Sequence, residues 1–188
     1  MMRNAARNAV LGLCLTAFAS GSAWAGQFTI SSPSVTEGAA IGDKHLFAGF
    51  GCTGGNKSPA LAWTDAPADA KSFAVTVYDP DAPTGSGWWH WVVFNIPADT
   101  TGLKEGAGDA KGALMPAGSV QSQTDFGQPG YGGPCPPVGD KPHRYIFTVH
   151  ALKVEKLPLD ATASGAMVGF FLGQNAIAKA TVTGIYGR

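Results

Sequence analysis

The sequence has few charged residues and no cluster of basic ones. Asp, Glu, Lys and Arg together make up 14% of the chain, and 13 basic residues balance 13 acidic ones. Binding to the phosphate backbone of a nucleic acid depends on concentrated positive charge, which neutralises the phosphates. We therefore expect no nucleic-acid partner.

Long apolar runs are also missing, except for one at the start of the chain. Two arginines precede the apolar residues 9–19, and a small-x-small cleavage sequence ends at Ala25. This arrangement is typical of a secretory signal peptide, and the run is too short to span a membrane. We predict a signal peptide over residues 1–25 and one periplasmic or secreted domain over residues 26–188.

Cysteine is scarce, and its placement favours a disulfide bond. Of the three cysteines, Cys14 lies in the predicted signal peptide, which leaves Cys52 and Cys135, each in a glycine-rich stretch. In an oxidising compartment such a pair is typically bonded. The alternative is two free buried thiols. A zinc site is disfavoured because no Cys-x-x-Cys or Cys-x-x-His spacing is present.

Glycine and proline, by contrast, are abundant and separate short apolar runs. The 26 glycines and 13 prolines are typical of a β-rich domain with many turns. The strongest strand signals are at residues 73–78, 91–96 and 145–152. The last two are nearly continuous apolar runs, which predicts central strands covered on both faces. Weaker strands are predicted at residues 28–31, 46–49, 60–63 and 181–186.

One segment near the end of the chain is predicted to be helical. Ser164 can cap its N-terminus, and apolar residues between Met167 and Ala178 follow helical spacing. Glycines at positions 165, 169 and 173 each disfavour a helix by about 1 kcal/mol. Their spacing of four nevertheless gives a smooth face that suits close packing on a sheet. The pattern predicts a β-sandwich with a peripheral helix.

Two stretches combine Gly/Pro loops with side chains that bind anions or carry protons. Residues 78–91 contain Asp79 and His90, and residues 130–145 contain His143. Each stretch continues into an apolar strand. Proline lowers the entropic cost of ordering a loop, so polar side chains can be held in place for a ligand. We predict a small site at the rim of a β-scaffold.

Four interpretations of this site remain open. A metal site would use the Asp and His side chains, although Asp79-Pro80-Asp81 also suits a turn. A hydrolase would need an activated nucleophile, and Ser86 lacks the Gly-x-Ser-x-Gly context. In a third, purely structural interpretation, Asp79 and Asp81 cap turns and both histidines are structural side chains. We favour an anion pocket, because two imidazoles, a tyrosine hydroxyl and backbone N–H groups of a glycine-rich loop can all donate to phosphate oxygens.

The charge of the histidines matters for this interpretation. A nearby carboxylate would orient a histidine and raise its pKa, which keeps the ring cationic. We therefore expect His90 and His143 to meet the anion in their charged form. Asp79 and Asp81 stand two residues apart, so in extended chain they would point the same way.

The two motifs together resemble the phosphatidylethanolamine-binding protein family, whose members are also called Raf-kinase-inhibitor-like proteins. The motifs are Asp79-Pro80-Asp81-Ala82-Pro83 before His90-Trp91, and Gly133-Pro134-Cys135-Pro136-Pro137 before His143-Arg144-Tyr145. Similarity to the bacterial YbhB/YbcL branch extends through residues 49–59 and the C-terminal segment. The signal peptide indicates the exported type within that branch.

The resemblance implies a mainly β fold, an antiparallel β-sandwich with one or two peripheral helices and an anion pocket at one end. It also implies a cis peptide bond between Ala82 and Pro83. The residues expected at the pocket by motif position are Asp79, Pro83, His90, Gly133, Pro136, His143 and Tyr145.

In function, the resemblance implies a non-enzymatic binding protein without cofactor or metal, whose ligand is a phosphate-bearing head group or a similar small anion. The alternatives are an inhibitor of a peptidase or kinase-type protein partner and a small hydrolase that uses the same Asp/His site. Homodimer formation stays open.

Overall fold

The computed structural model describes residues 26–188, so the predicted signal peptide lies outside the described residues. Within this range the chain is mainly β, with one α-helix, α1 (Gly165–Asn175), and one 3-10 turn at Asp43–His45. No helix in the described range is long and apolar enough to cross a membrane. The strands are β1 (Thr29–Ser31), β2 (Ala48–Gly49), β3 (Cys52–Thr53), β4 (Leu61–Thr64), β5 (Ser72–Asp79), β6 (Trp88–Pro97), β7 (Gly102–Leu103), β8 (Val120–Gln121), β9 (His143–Leu152) and β10 (Ala176–Tyr186).

The strands form antiparallel sheets, as predicted. The largest sheet has five strands in the order β10-β9-β5-β6-β8. A smaller sheet has the order β1-β4-β7, and β2 pairs with β3. The two nearly continuous apolar runs became β6 and β9, which lie on either side of β5. Each of the three strands therefore has a hydrogen-bonded neighbour on both edges.

The large sheet is covered on both faces, and β5 shows why. Successive side chains of a strand point to opposite faces. Val75 belongs to a core shared with Trp63 of the small sheet. Its neighbour Ala74 belongs to a second core, shared with Leu172 of α1. The small sheet covers one face and the helix covers the other, so the apolar runs in the sequence reflect burial on two sides.

Helix α1 begins at the predicted cap and packs closely on the sheet. The backbone N–H of Met167 donates to the Ser164 hydroxyl at 3.2 Å. A Cβ atom added to Gly165 would lie 2.3 Å from Cγ of Trp89 in β6, and the Trp89 ring also lies beside Gly169. The two glycines thus allow the close approach that their spacing suggested.

The prediction was wrong about the end of this helix and about some short strands. Ile177 and Ala178 continue the helical spacing but lie in β10, where the chain pairs with β9 along its whole length. The ladder of inter-strand hydrogen bonds outweighs the local helical pattern. The strand predicted at residues 46–49 is confined to Ala48–Gly49, because the 3-10 turn ends at His45 and Leu46 caps it. Strands β3, β7 and β8 carry no sequence signal long enough to predict them.

The predicted disulfide between Cys52 and Cys135 is present. It joins residues 83 positions apart and links the β2–β3 hairpin to the loop that leads into β9. The crosslink holds two glycine-rich segments against each other, and Cys135 lines the cavity described below.

We expect removal of this crosslink to lower the free energy of unfolding by about 4–5 kcal/mol, because the bond restricts the unfolded chain. The test compares urea unfolding of the wild type and a Cys52→Ser/Cys135→Ser variant without reductant. Thiol labelling of the denatured, non-reduced wild type serves as the control. Labelling of both cysteines would refute the bond.

Candidate functional site

A small cavity lies where the turn after β5 meets the loop before β9. Its volume is about 190 Å³. Six of the seven pocket residues predicted from the sequence line it, and Gly133 does not. The lining includes one carboxylate but neither lysine nor arginine. The lining residues are Phe50, Asp79, Ala82, Pro83, Thr84, Trp88, His90, Phe126, Cys135, Pro136, Pro137, His143 and Tyr145.

Asp79, the last residue of β5, holds two parts of the site together. Its Oδ1 accepts hydrogen bonds from the backbone N–H groups of Asp81 at 2.8 Å and Ala82 at 3.1 Å. Its Oδ2 accepts from Nδ1 of His143 at 2.7 Å. Both side chains are buried. The carboxylate therefore closes the turn after β5 and also fixes the orientation of an imidazole on β9.

The side chain of Asp81 does not point in the same direction as that of Asp79, contrary to the prediction. The turn breaks the strand alternation, and Asp81 pairs with the guanidinium of Arg144 through two hydrogen bonds of 2.8 and 2.7 Å. These bonds hold the pKa of Asp81 down at about 2. The positive charge of Arg144 is thus neutralised by Asp81, and neither residue lines the cavity.

His90 of β6 is joined to the second loop by a reciprocal pair of hydrogen bonds. Its Nδ1 donates to the Gly132 carbonyl oxygen at 2.7 Å, and the Gly132 N–H donates to the His90 carbonyl at 2.8 Å. A carbonyl oxygen only accepts, so Nδ1 carries the proton. In the neutral ring, Nε2 is then a hydrogen-bond acceptor.

His90 is neutral in the free protein at neutral pH, whereas the sequence predicted a charged ring in contact with the anion. Burial lowers the pKa of His90 to about 4, and the nearby carbonyls and the carboxylates of Asp79 and Asp125 offset only part of that effect. The ring is 4% exposed. Desolvation of the cation thus outweighs the attraction of the carboxylates.

Tyr145 of β9 presents a hydroxyl without a partner. The side chain is 1% exposed, its ring packs edge-on against His90 at 5.1 Å, and its hydroxyl has no hydrogen-bond partner anywhere in residues 26–188. Burial raises the pKa of Tyr145, and the Asp79 charge acts in the same direction. The hydroxyl is therefore protonated at neutral pH and keeps an unused hydrogen-bond donor.

Two other predictions about the pocket are wrong. Gly133 packs against backbone instead of lining the cavity, since an added Cβ would lie 2.1 Å from the His45 carbonyl oxygen. Its N–H donates to Asn56, so this N–H is not free to bind an anion. The Ala82–Pro83 bond is trans, as are all peptide bonds in the described residues. The turn is instead closed by the Asp79 carboxylate.

The sequence reasoning missed an aromatic rim around the cavity. Phe126 stacks on Phe47 at 4.4 Å and lies edge-on to Trp88 at 5.5 Å. Phe50 is 67% exposed and has a φ of 51°, a left-handed conformation that is rare for a bulky residue. The guanidinium of Arg188 holds this turn through the carbonyl of Phe50. The only sequence signal was the glycine on each side of Phe50.

The arrangement offers little to a metal ion or a nucleophile. No group of three or more His, Cys, Asp or Glu side chains that could hold a metal occurs in the described range. Among the residues that line the cavity, Cys135 is in the disulfide and the Thr84 hydroxyl donates to the Gly87 carbonyl. Ser86 is not in the cavity wall.

The unpartnered hydroxyl of Tyr145 should lower the free energy of unfolding by a measurable amount. We expect Tyr145→Phe to raise the free energy of unfolding by about 1 kcal/mol, because it removes an unsatisfied buried polar group. Tyr131 is the matched control, since it is also buried but its hydroxyl donates to the His45 carbonyl at 3.0 Å. Tyr131→Phe should lower stability by about 1 kcal/mol. Equal destabilisation by both variants in urea unfolding would contradict this assignment.

Two histidines with lowered pKa values predict how stability depends on pH. The pKa values of His90 and His150 are lowered by burial to about 4, against about 6.5 in the unfolded chain. Between these values the unfolded state binds more protons, so stability present at pH 7 is lost as the pH falls toward 4. Each histidine contributes on the order of 3 kcal/mol to this loss.

Urea unfolding at a series of pH values from 7.5 to 4.5 checks this expectation. His90→Asn should show a shallower decline than the wild type, because the asparagine amide can still donate to the Gly132 carbonyl but does not titrate. Identical slopes in the two proteins would mean that His90 is not held neutral by the fold.

Comparisons with known proteins agree with the fold and the motifs. Residues 31–187 match the family model described as phosphatidylethanolamine-binding protein. The chain is 55% identical to YbcL of Escherichia coli over 170 residues, 90% of this chain and 93% of YbcL. It is 54% identical to YbhB of the same organism over 155 residues, 82% of this chain and 97% of YbhB.

The structural comparison gives the same result. The crystal structure of E. coli YbcL superposes with a TM-score of 0.85 at 54% identity, covering 87% of this chain and 99% of the other. A more distant relative, 36% identical over 158 residues that cover 84% of this chain and 71% of the relative, is described as the putative lipoprotein LppC of Mycobacterium tuberculosis. The chain belongs to the phosphatidylethanolamine-binding protein family.

Proposed function

We propose that this protein is an exported binding protein whose cavity holds a small anionic group, a phosphate-bearing head group or a carboxylate. The observation that carries the proposal is the buried, unpartnered hydroxyl of Tyr145. Buried polar groups in folded proteins nearly always have a partner. A hydroxyl left free in a cavity wall is therefore explained best by a ligand oxygen that accepts its hydrogen bond.

The neighbouring groups support an oxygen-rich ligand of limited size. Asp79 fixes the orientation of the His143 ring, whose Nε2 lies 3.5 Å from Oδ2 of Asp140, so the ring can contact a ligand in one orientation only. The cavity volume of about 190 Å³ is below the roughly 300 Å³ at which drug-sized ligand pockets begin. Only a head group fits inside, and the remainder of a larger ligand would lie across the aromatic rim.

The side chains in the cavity wall favour ligand binding over catalysis. The Asp79–His143 pair resembles two members of a catalytic triad, but a triad needs a nucleophile next to the imidazole. Thr84 is the one aliphatic hydroxyl in the cavity wall, and it is committed to the Gly87 carbonyl. We therefore assign no catalytic residue.

We further propose that the protein acts in the periplasm or outside the cell. The N-terminal sequence has the form of a signal peptide, and the Cys52–Cys135 bond is of the kind that persists in oxidising compartments. The lipoprotein description of the LppC relative supports an extracytoplasmic role for the family member at hand.

A second candidate function is inhibition of a protein partner, a peptidase or a kinase. Phe50 at the mouth of the cavity is 67% exposed, and Val138, next to the cavity residue Pro137, is 76% exposed. Exposed apolar side chains at one opening suit a contact surface. A complex that forms through this surface would survive loss of the cavity histidine, whereas binding of a small anion would not.

Calorimetry with inorganic phosphate, phosphoethanolamine and acetate tests the leading proposal. We expect Tyr145→Phe and His143→Asn each to weaken binding about 10-fold to 100-fold, the range for a lost hydrogen bond to a charged group. His150→Asn is the matched control, because His150 lies seven residues along β9 from His143 and so faces the other side of the sheet.

Two results would contradict the anion-binding proposal. One is the absence of binding for all three anions. The other is tight binding of a divalent metal, or ester hydrolysis that disappears in His90→Ala, either of which would favour the hydrolase.

A further inference from the structure

The imidazole of His90 is fixed so that it presents an acceptor to the cavity. Its Nδ1–H is committed to the Gly132 carbonyl at 2.7 Å, and the return bond from the Gly132 N–H at 2.8 Å keeps the loop from shifting away. Nε2 has no hydrogen-bond partner among residues 26–188, and the ring lines the cavity. A neutral imidazole in this tautomer offers a lone pair at Nε2.

The surroundings of His90 do not favour a second proton on the ring. The titratable groups near it are the carboxylates of Asp79 and Asp125 and the Tyr145 ring, which packs edge-on against it, and His143 lines the same cavity. Although the two carboxylates attract a cation, the ring is almost completely buried, and its pKa is lowered to about 4 by that burial. At neutral pH a ligand therefore meets an unprotonated Nε2.

The charge of the cavity wall also disfavours a fully deprotonated ligand. The Asp79 carboxylate is part of the wall, and no lysine or arginine is among the described lining residues. Two guanidinium groups lie near the cavity without lining it: that of Arg144 is paired with Asp81, and that of Arg188 donates to the carbonyls of Pro136 and Phe50. A fully deprotonated oxyanion would thus place charged oxygens against the lone pair of Nε2, with little positive charge to compensate.

We propose that the cavity selects oxyanions that carry a proton, namely hydrogen phosphate groups, over sulfate and phosphodiesters. The P–OH group would donate to Nε2 of His90, while another phosphate oxygen accepts from the Tyr145 hydroxyl. Sulfate and phosphodiesters have no proton to donate at neutral pH. The proposal rests on the anion-binding function proposed above and narrows its ligand class.

Inorganic phosphate and sulfate provide the sharpest comparison, because hydrogen phosphate and sulfate are close in size and equal in charge but differ by one proton. Calorimetry at pH 7.5 should give at least tenfold tighter binding of phosphate than of sulfate by the wild type. His90→Asn can keep the bond to Gly132 but has no Nε2, so we expect its two affinities to agree within about threefold.

Phosphoethanolamine, a phosphomonoester, distinguishes binding of a phosphorylated head group from binding of free phosphate. Its last proton is lost near pH 6, so the affinity for phosphoethanolamine should fall about tenfold between pH 5.5 and 7.5. Inorganic phosphate still carries a proton at both pH values and should lose much less affinity. Binding of phosphoethanolamine that strengthens over this range would overturn the proposal.

The outcomes also distinguish this proposal from the function on which it rests. Equal affinities of the wild type for phosphate and sulfate, or an unchanged ratio in His90→Asn, would refute the selectivity and leave anion binding intact. If the wild type binds neither inorganic phosphate nor phosphoethanolamine nor acetate, both proposals are refuted.

Discussion

The reciprocal pair of hydrogen bonds between His90 and Gly132 is the constraint on which the rest of the site depends. It fastens the glycine-rich second loop to β6 and at the same time sets which nitrogen of the imidazole carries the proton. Other bonds reinforce the same geometry. The Asp79 carboxylate joins the first turn to β9, and the Cys52–Cys135 disulfide joins the β2–β3 hairpin to the second loop.

The site is built from features that lower stability. A hydroxyl without a partner at Tyr145 and a left-handed backbone at Phe50 would each be improved by substitution if stability were the only requirement. Such features persist where function needs them and where the surrounding structure is rigid. Here the rigidity comes from a five-stranded sheet with an apolar core on each face and from the disulfide.

The sequence allowed prediction of the sheet, the helix cap, the disulfide and most of the cavity wall, because these depend on local patterns and on motifs placed at strand ends. The failures concern properties set by three-dimensional contacts. Asp81 turns away because the chain leaves the strand conformation and meets Arg144. Gly133 is needed for backbone packing against the neighbouring segment. The protonation state of His90 follows from its burial, which a sequence does not reveal.

The most direct test of this account is the tautomer of His90 in the free protein. Nitrogen NMR of the ¹⁵N-labelled histidine rings at pH 7, with His90→Asn to assign the signals, distinguishes a protonated Nδ1 with a bare Nε2 from the other two forms. We predict a neutral ring with the proton on Nδ1. A cationic ring, or a neutral ring with its proton on Nε2, would contradict the account.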